Sequence, residues 1–555
     1  MSEYLTLKSY ASEANSVQSV VSERPSLDTE VAVKLFRNSV TIDDLEPFAG
    51  ELLTDVAVNE DDTTIRRVVS RALSLINGPT INVPLTLTSQ SKEQMLKLTN
   101  SVRIDVATAE SWVLASEYLK NSWQFQKTGR ASAAAVLSDV DCEHLKKGGP
   151  QGIKEYALEI IKKHNLDDNL YIYDLGNVVR MFRAWRSALP RITPYYAIKC
   201  NPEPAMLRLL MSLGAGFDCA SQVELATVLA IGMPSSKIIF AHPCKRRGDI
   251  EYAGEHNVEF TTFDTDSELD KIAKYNPRFR CVLRIRADDP EARVPLGLKY
   301  GASLEDVPTL LEHAKRLGLK VAGVSFHVGS GAKNMSTFSG AITSARHIFD
   351  LAEMMGFHME LLDIGGGFTG HFDENGNVIF GETADAINEA IEAEFPPNSG
   401  VTIIAEPGRY FAETSATMFT PVYGVRDRPG DASHYKGIHK DYWITDGLYG
   451  SFNCILYDDQ RPEYQVLRSP LLEQVDESTV ETFKSTVWGP TCDSADCVYK
   501  DVMLPELRNG DWLMFPNAGA YTVAGACDFN GINMTRPRTF YVFSDSPIDR
   551  DFVEE

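Results

Sequence analysis

The stretch "PYYAIKCNPEP" (194–204) places Lys199 where an apolar, β-favouring run ends and Asn201-Pro202 breaks it. A lysine desolvated at a strand terminus loses hydration, so its pKa falls and its amine becomes a usable nucleophile. The alternative is a lysine that snorkels out of the strand end into water. Three later stretches bear on the choice. "DIGGGF" (363–368) is a glycine-rich loop leaving a strand, whose backbone N–H groups can approach an anion. "EPGRY" (406–410) adds the Arg409 guanidinium, suited to bidentate phosphate contact, and the carboxylate of Glu406. "FHVGSG" (326–331) ends a strand in His327, ahead of Ser330. A phosphate site near a buried lysine points to a phosphorylated aldehyde held as a Schiff base, pyridoxal 5'-phosphate. Glu406 is then the acid that keeps the pyridine nitrogen protonated, and His327 a ring able to stack on the cofactor. Without a ligand, the glycines are an ordinary turn and His327 a core histidine.

Further candidates are more ambiguous. Asp218 in "GFDCASQVEL" can pair with Lys199 or cap the helix that follows, with Glu224 beyond it. Arg284 lies on a strand of its own. "WGPTCDSAD" (488–496) sets Cys492 and Asp493 in a turn, where the thiol can donate a proton or act as a nucleophile. "LYDD" (456–459) brings two adjacent carboxylates that read either as a solvated turn or as a partner for an amine-bearing substrate.

These residues need a frame that gathers them. Eight β-rich runs recur, beginning "ITPYYAIK" (192), "GAGFDCA" (214), "KIIFAHP" (237), "VEFTTFD" (258), "CVLRIRA" (281), "VAGVSFHVG" (321), "LLDIGGG" (361) and "VTIIAEPG" (401). Helix-like segments such as 204–214 and 336–356 lie between most of them, which predicts an α/β fold of the (β/α)8-barrel type, with a doubly wound open sheet as the alternative. Barrel chemistry sits at the C-terminal ends of the strands, where the candidate residues fall. After about residue 410, short strands separated by Gly/Pro/Asp turns predict an antiparallel β domain.

The expected organisation is an N-terminal extension (1–134), a lead-in contributing to the β domain (135–175), the cofactor-binding barrel (176–412), the β domain (413–547) and a short tail (548–555). Within the extension, 59–64 reads as a solvated loop and 64–76 as an amphipathic helix, with a linker at 128–135. The formal charge of −23 argues against nucleic acid or an acidic membrane surface as a partner. The nine cysteines form no CxxC pair and no zinc-site spacing, so no metal is expected. With no signal peptide and no long apolar run, the chain reads as cytoplasmic with reduced thiols.

"YYAIKCN", "GFDCASQVEL", "FHVGSG", "DIGGGF", "EPGRYF", "DGLYGSFNCILYD", "WGPTCDSAD" and "GAYT", collinear over roughly 136–547, resemble the eukaryotic ornithine decarboxylase family. The resemblance implies an alanine-racemase-like barrel with a C-terminal β domain, and a lyase that uses pyridoxal phosphate to decarboxylate ornithine to putrescine in polyamine biosynthesis. It implies that Lys199 binds the cofactor, Glu406 pairs with its ring nitrogen and His327 stacks on it. Ser330, Gly366, Gly367, Arg409 and Tyr521 hold the phosphate, and Asp218, Glu224 and Arg284 support ring and lysine. Asp458 and Asp493 bind the distal ammonium, Tyr457 and Phe529 line the substrate site, and Cys492 protonates the carbanion. It further implies a head-to-tail homodimer with sites at the interface, Cys492 and Asp493 reaching into the partner's barrel, and an antizyme as a further partner.

Two departures stand out. The family's Cys-Asp-Gly-Leu-Asp is here Cys492-Asp493-Ser494-Ala495-Asp496, so Ser494 is strained if that glycine sits at positive φ. The extension has no recognised counterpart, and the short tail leaves little room for a C-terminal degradation signal. The rival readings are a lysine/ornithine decarboxylase of broader specificity, an arginine or diaminopimelate decarboxylase, and a non-catalytic relative like the antizyme inhibitors. Asp493 stands against diaminopimelate, whose distal carboxylate needs a cation.

Overall fold

The structure is a computed structural model that describes residues 140–544 except 147, 288, 290–291, 295–298, 333–334, 373–377, 380 and 431–436, together with two short strands nearer the N-terminus. The chain divides into two units, Met1–Ala131 and Ser132–Glu555. In the first, Val56–Ala57 pairs antiparallel with Thr86–Leu87. The loop at 59–64, the helix expected over 64–76, the linker at 128–135 and the tail at 548–555 lie outside the described residues.

The second unit begins with β1 (Cys142–Leu145), α1 (Gly149–His164), β2 (Leu170–Asp174) and α2 (Leu175–Ala188). Eight parallel strands follow: β3 (Ile192–Ala197), β4 (Gly216–Cys219), β5 (Ile238–Phe240), β6 (Phe260–Phe263), β7 (Arg280–Arg286), β8 (Lys320–His327), β9 (Leu361–Asp363) and β10 (Thr402–Ala405). They close into a barrel, β10 pairing with β3 through Ile403 and Ile192. Six fall within the runs read from the sequence, and β7 and β8 each begin one residue earlier, at Arg280 and Lys320. Parallel strands are covered on both faces, and most of these are apolar along nearly their whole length. Inside, Tyr195, Ile239, Val282, Leu361 and Ile404 pack against one another.

The connecting helices carry local signals. α3 (Pro204–Leu213) has proline in its first turn and ends at Gly214, which adopts φ +101°. α4 (Gln222–Ala230) is capped by Ser221, whose side chain accepts from the Glu224 amide. The cap is therefore Ser221, and Asp218 remains on β4.

Beyond the barrel come β11 (Ala416–Pro429), β12 (Ile438–Ile444), β13 (Gln465–Leu467), β14 (Thr482–Trp488), β15 (Cys497–Pro505), β16 (Trp512–Phe515) and β17 (Arg538–Ser544). They form one nine-stranded sheet with β1 and β2, in the order β15-β14-β12-β11-β2-β17-β1, and β16 pairs with both β11 and β13. Pairing is mostly antiparallel, but β12–β14, β17–β2 and β17–β1 are parallel. The lead-in strands thus lie in the same sheet as the C-terminal ones. Ile153, Ile160, Leu170, Phe419, Trp512 and Val542 pack α1 onto this sheet. Under the barrel mouth, Trp185 of α2 meets Phe368 (4.9 Å between ring centres) and Tyr410 (5.2 Å) edge-on, bracing the glycine loop and the segment after β10.

Candidate active site

β3 runs into a single tight turn, Ile198–Cys200, with Lys199 at its centre. The turn is fixed from below. Asn201 Nδ2 donates to the Tyr173 hydroxyl (3.1 Å) and to the Gly519 carbonyl (2.7 Å), and the Tyr521 amide donates to the Cys200 carbonyl (2.9 Å). Lys199 Nζ donates to Asp218 Oδ2. The charge on this lysine corrects the sequence expectation. The side chain is 41% exposed rather than buried; partial desolvation pulls the ammonium's pKa down, but the carboxylates of Asp218 and Glu406 outweigh it and hold the group above the usual lysine range. Lys199 is thus a paired ammonium, and its use as a nucleophile requires that the proton be drawn off.

His327 ends β8. Its Nδ1 accepts from the Gly329 amide (3.1 Å), and burial, with Arg284 and Lys199 nearby, keeps the ring neutral far below the usual histidine range. The loop Gly365–Gly367 passes directly against it. A Cβ on Gly366 would lie 2.7 Å from His327 Nε2 and 2.8 Å from the Glu406 carbonyl, and Gly367 adopts φ +113°. Only glycine lets backbone approach this closely.

Glu406, just beyond β10, is buried, and burial together with Asp363 and Asp218 pushes its carboxyl well above the ordinary range. Asp363, at the end of β9, is pushed up to about 7, chiefly by burial, while its Oδ1 accepts from the Gly365 amide (2.9 Å). Asp363 was not among the sequence candidates. A charge inside the apolar run "LLDI" was the available signal, of the same kind that drew attention to Lys199.

Arg409 opens a short helical turn (Arg409–Ala412) and is almost fully buried. Its Nη2 donates to Ser330 Oγ (3.0 Å) and to both Asp458 oxygens (2.5 and 2.7 Å), and Nη1 lies 3.6 Å from Glu413. Its Nε and Nη1 make no hydrogen bond among the described residues. Tyr521 lies under the guanidinium, 5.1 Å from carbon to ring centre, with φ +54°, a conformation that costs a tyrosine energy and marks a constrained site. Lys199, His327, Ser330, Gly367, Glu406, Arg409 and Tyr521 line one pocket. Its chemistry fits pyridoxal phosphate: an amine, a neutral ring, a carboxyl that can hold a proton, and a glycine cradle beside a guanidinium with unused donors.

Three supporting residues lie around it. Asp218 is buried opposite Lys199. Glu224 Oε2 accepts from the Ala220 amide (2.5 Å), and burial raises its carboxyl. Arg284 sits over the face of Tyr300, 5.4 Å from the ring centre.

The remaining candidates divide. Asp458 is buried beside Arg409, whereas Tyr457 is 75% exposed. Cys492 lies exposed and Asp493 half-buried on the turn before β15, outside the Lys199 pocket of their own chain. Asp493 Oδ2 accepts from the Tyr449 hydroxyl (2.5 Å), Phe529 stacks on Tyr449 (4.3 Å), and the Cys492 amide donates to Asn530. Tyr449 was missed because nothing in "DGLYGSF" distinguishes it from a turn tyrosine. Ser494 is not among the residues at positive φ, so the anticipated strain is absent. Asp496 instead braces the loop, accepting from Leu448 N (2.7 Å) and from Thr491 N and Oγ1 (3.1 and 2.7 Å).

Barrel, lysine turn, glycine cradle and paired carboxyls together define a barrel-type pyridoxal-phosphate decarboxylase, and residues 175–413 match the family described as "Pyridoxal-dependent decarboxylase, pyridoxal binding domain". The chain is 41% identical to the mouse (Mus musculus) ornithine decarboxylase over 73% of its length and 87% of that protein. It is 44% identical to the chloroplastic ornithine decarboxylase of Nicotiana glauca over 73% of its length and 92% of that protein. Antizyme inhibitor 2 of Xenopus laevis is 41% identical over 66% of this chain and 80% of its own. Among solved structures, the arginine decarboxylase of Paramecium bursaria Chlorella virus bound to agmatine is 38% identical, with a TM-score of 0.64, covering 70% of this chain and 100% of that one. This chain belongs to the ornithine decarboxylase family of fold-type III pyridoxal-phosphate enzymes.

Proposed function

We propose that this protein decarboxylates L-ornithine to putrescine and carbon dioxide. The observation that supports the reading is Asp458, a buried carboxylate paired with Arg409 of the Lys199 pocket and available, in this reading, to a second, distal ammonium. Bound pyridoxal phosphate supplies the sink for the electrons left behind when the α-carboxylate departs. Lys199 would hold the cofactor's aldehyde carbon, with Asp218 as its counter-ion. Glu406, backed by Asp363, holds the proton at the ring nitrogen, and His327 covers the ring face. Arg409, Ser330, Gly366, Gly367 and Tyr521 hold the phosphate, while Glu224 and Arg284 steady the surrounding strand ends.

Asp493 supplies the second carboxylate for the distal ammonium, and Cys492 delivers a proton to the α-carbon. Both act in a partner's barrel, with Tyr457 and Phe529 lining the shared pocket. The exposure of Cys492, and the position of both residues outside their own chain's pocket, support a head-to-tail homodimer. A cytoplasmic location is supported by nine unpaired cysteines, and an antizyme is proposed as a further partner.

A non-catalytic role like that of antizyme inhibitors is disfavoured, because Lys199, His327, Glu406, Arg409, Asp458 and Cys492 are all retained. Lysine is one methylene longer than ornithine, a difference worth about 1–3 kcal/mol, so slower turnover of lysine is expected. Measuring carbon dioxide release from ornithine, lysine and arginine tests the reading: release from lysine or arginine but not ornithine overturns it.

A further inference from the structure

We propose that Gln460 is a positioning residue that sets how Asp458 receives the substrate's distal ammonium. The proposal rests on the reading of Asp458 given above. The chain makes a sharp reversal after Tyr457: the amides of Asp458 and Gln460 both donate to the Cys454 carbonyl (3.1 Å each), and Asp459 between them adopts φ +46°. This folds residue 460 back beneath residue 458. Gln460 Nε2 then donates to Asp458 Oδ2 (2.5 Å) and to the Ala520 carbonyl (3.1 Å). Ala520 is fully buried and directly precedes Tyr521 of the pocket. One amide thus ties the loop bearing the acidic side chain to the turn bearing Tyr521.

The hydrogen-bond count shows why this matters. A carboxylate offers about four acceptor positions. Arg409 takes one on each oxygen of Asp458, and Gln460 takes the second on Oδ2. Among the described residues only Oδ1 keeps an open position, so Gln460 determines which oxygen faces an incoming ammonium. It also opposes rotation of the carboxylate toward Arg293, whose Nη1 stands 3.9 Å from Oδ2. A residue in this place acts through Asp458 and therefore on substrate binding and chain-length choice.

The test is a double-mutant cycle on the cofactor-loaded enzyme with ornithine and lysine as probes. Gln460→Met keeps the length of the side chain without its donors, and Gln460→Glu replaces the donor with a repelling oxygen. Each is expected to raise the ornithine KM about tenfold, with kcat changed much less and the ornithine-to-lysine ratio of kcat/KM reduced. In Asp458→Asn the further change Gln460→Met should have little added effect, because the two residues act as one unit. If Asp458→Asn raises KM but both Gln460 variants keep the wild-type KM and ornithine preference, the proposal is overturned. It is overturned also if the Gln460 effects are fully additive with Asp458→Asn, or appear only as lost thermal stability or lost cofactor absorbance. If Asp458→Asn itself leaves KM unchanged, the reading of Asp458 fails and this proposal with it.

Discussion

Arg409 and Asp458 form a buried ion pair in which one guanidinium nitrogen donates to both carboxylate oxygens, at 2.5 and 2.7 Å. Both side chains are nearly inaccessible to water, and Glu413 and Arg293 complete a cluster of alternating charge around them. Such a pair adds little net stability when intact, but removing one partner strands a buried charge. The two single variants are unequal here. Arg409→Ala leaves Asp458 with Arg293 at 3.9 Å, and Glu413 with Arg293 and the His371 ring, each also at 3.9 Å. Asp458→Asn leaves Arg409 with Glu413 at 3.6 Å. Arg409→Ala is expected to cost about 3–5 kcal/mol in urea unfolding of the cofactor-free protein, and Asp458→Asn less. An equal or smaller loss for Arg409→Ala would contradict the charge arrangement.

Asp363 and Glu406 make the cofactor-free protein sensitive to pH. The Asp363 carboxyl, near 3.9 when unfolded, is pushed up to about 7 in the fold, chiefly by burial, and Glu406 is raised as well. A carboxyl raised by folding binds its proton more tightly in the native state. Its contribution is therefore fully present below the unfolded value and is lost as pH climbs through about 7. Asp363→Asn removes this titration while keeping an oxygen for the Gly365 amide. Thermal melts at pH 5 and pH 8 should show the variant gaining stability relative to wild type at the higher pH. A difference that is independent of pH refutes the assignment.

Glu406→Gln keeps the shape of the side chain but cannot carry the charge that holds a proton on the ring nitrogen. It is expected to lower kcat by about 10²-fold or more while cofactor still binds. Single-turnover kinetics with the cofactor-loaded variant check this, and a kcat within a few-fold of wild type counts against the role.

The glycine cradle predicts a steric effect. Gly366→Ala drives a methyl to within 2.7 Å of His327 Nε2 and 2.8 Å of the Glu406 carbonyl. Cofactor affinity, followed by the absorbance of the bound chromophore, should fall by at least about tenfold, since displaced backbone cannot recover its anion contacts. Unchanged affinity would show that the loop does not approach the cofactor.

The placement of Cys492 outside its own chain's pocket predicts complementation. Lys199→Ala and Cys492→Ala are each expected to be nearly inactive alone. Mixed under conditions of subunit exchange, they should regain up to about a quarter of wild-type activity, because half of the random dimers carry one intact site of two. No recovery despite exchange would place Cys492 in its own barrel.

Much of the frame was legible because buried parallel strands are written as short apolar runs stopped by glycine, proline or asparagine, as at Ile192–Ala197 and Leu361–Asp363. The strand ends then announced Lys199, His327, Glu406 and Arg409 by placing polar groups where apolar ones were due. What stayed hidden depends on distant partners. The parallel pairing of β12 with β14 leaves no periodic mark, since either direction presents the same alternation of faces. The sign of the Lys199 shift depended on Asp218 and Glu406, residues 19 and 207 positions further along the chain. Asp218 itself read equally well as a cap until Ser221 was seen to hold that place. Gln460 had no signature, because its significance lies in one amide reaching both Asp458 and Ala520.

The central claim is that the Lys199 pocket decarboxylates a diamino acid through pyridoxal phosphate. Release of labelled carbon dioxide from carboxyl-labelled L-ornithine by the purified full-length protein, beside its Lys199→Ala variant, tests it most directly. The account predicts cofactor-dependent release that exceeds release from lysine and is abolished, together with borohydride-trappable cofactor, by Lys199→Ala. Absence of release from ornithine by the cofactor-loaded wild type, or cofactor still trapped covalently in the variant, would contradict it.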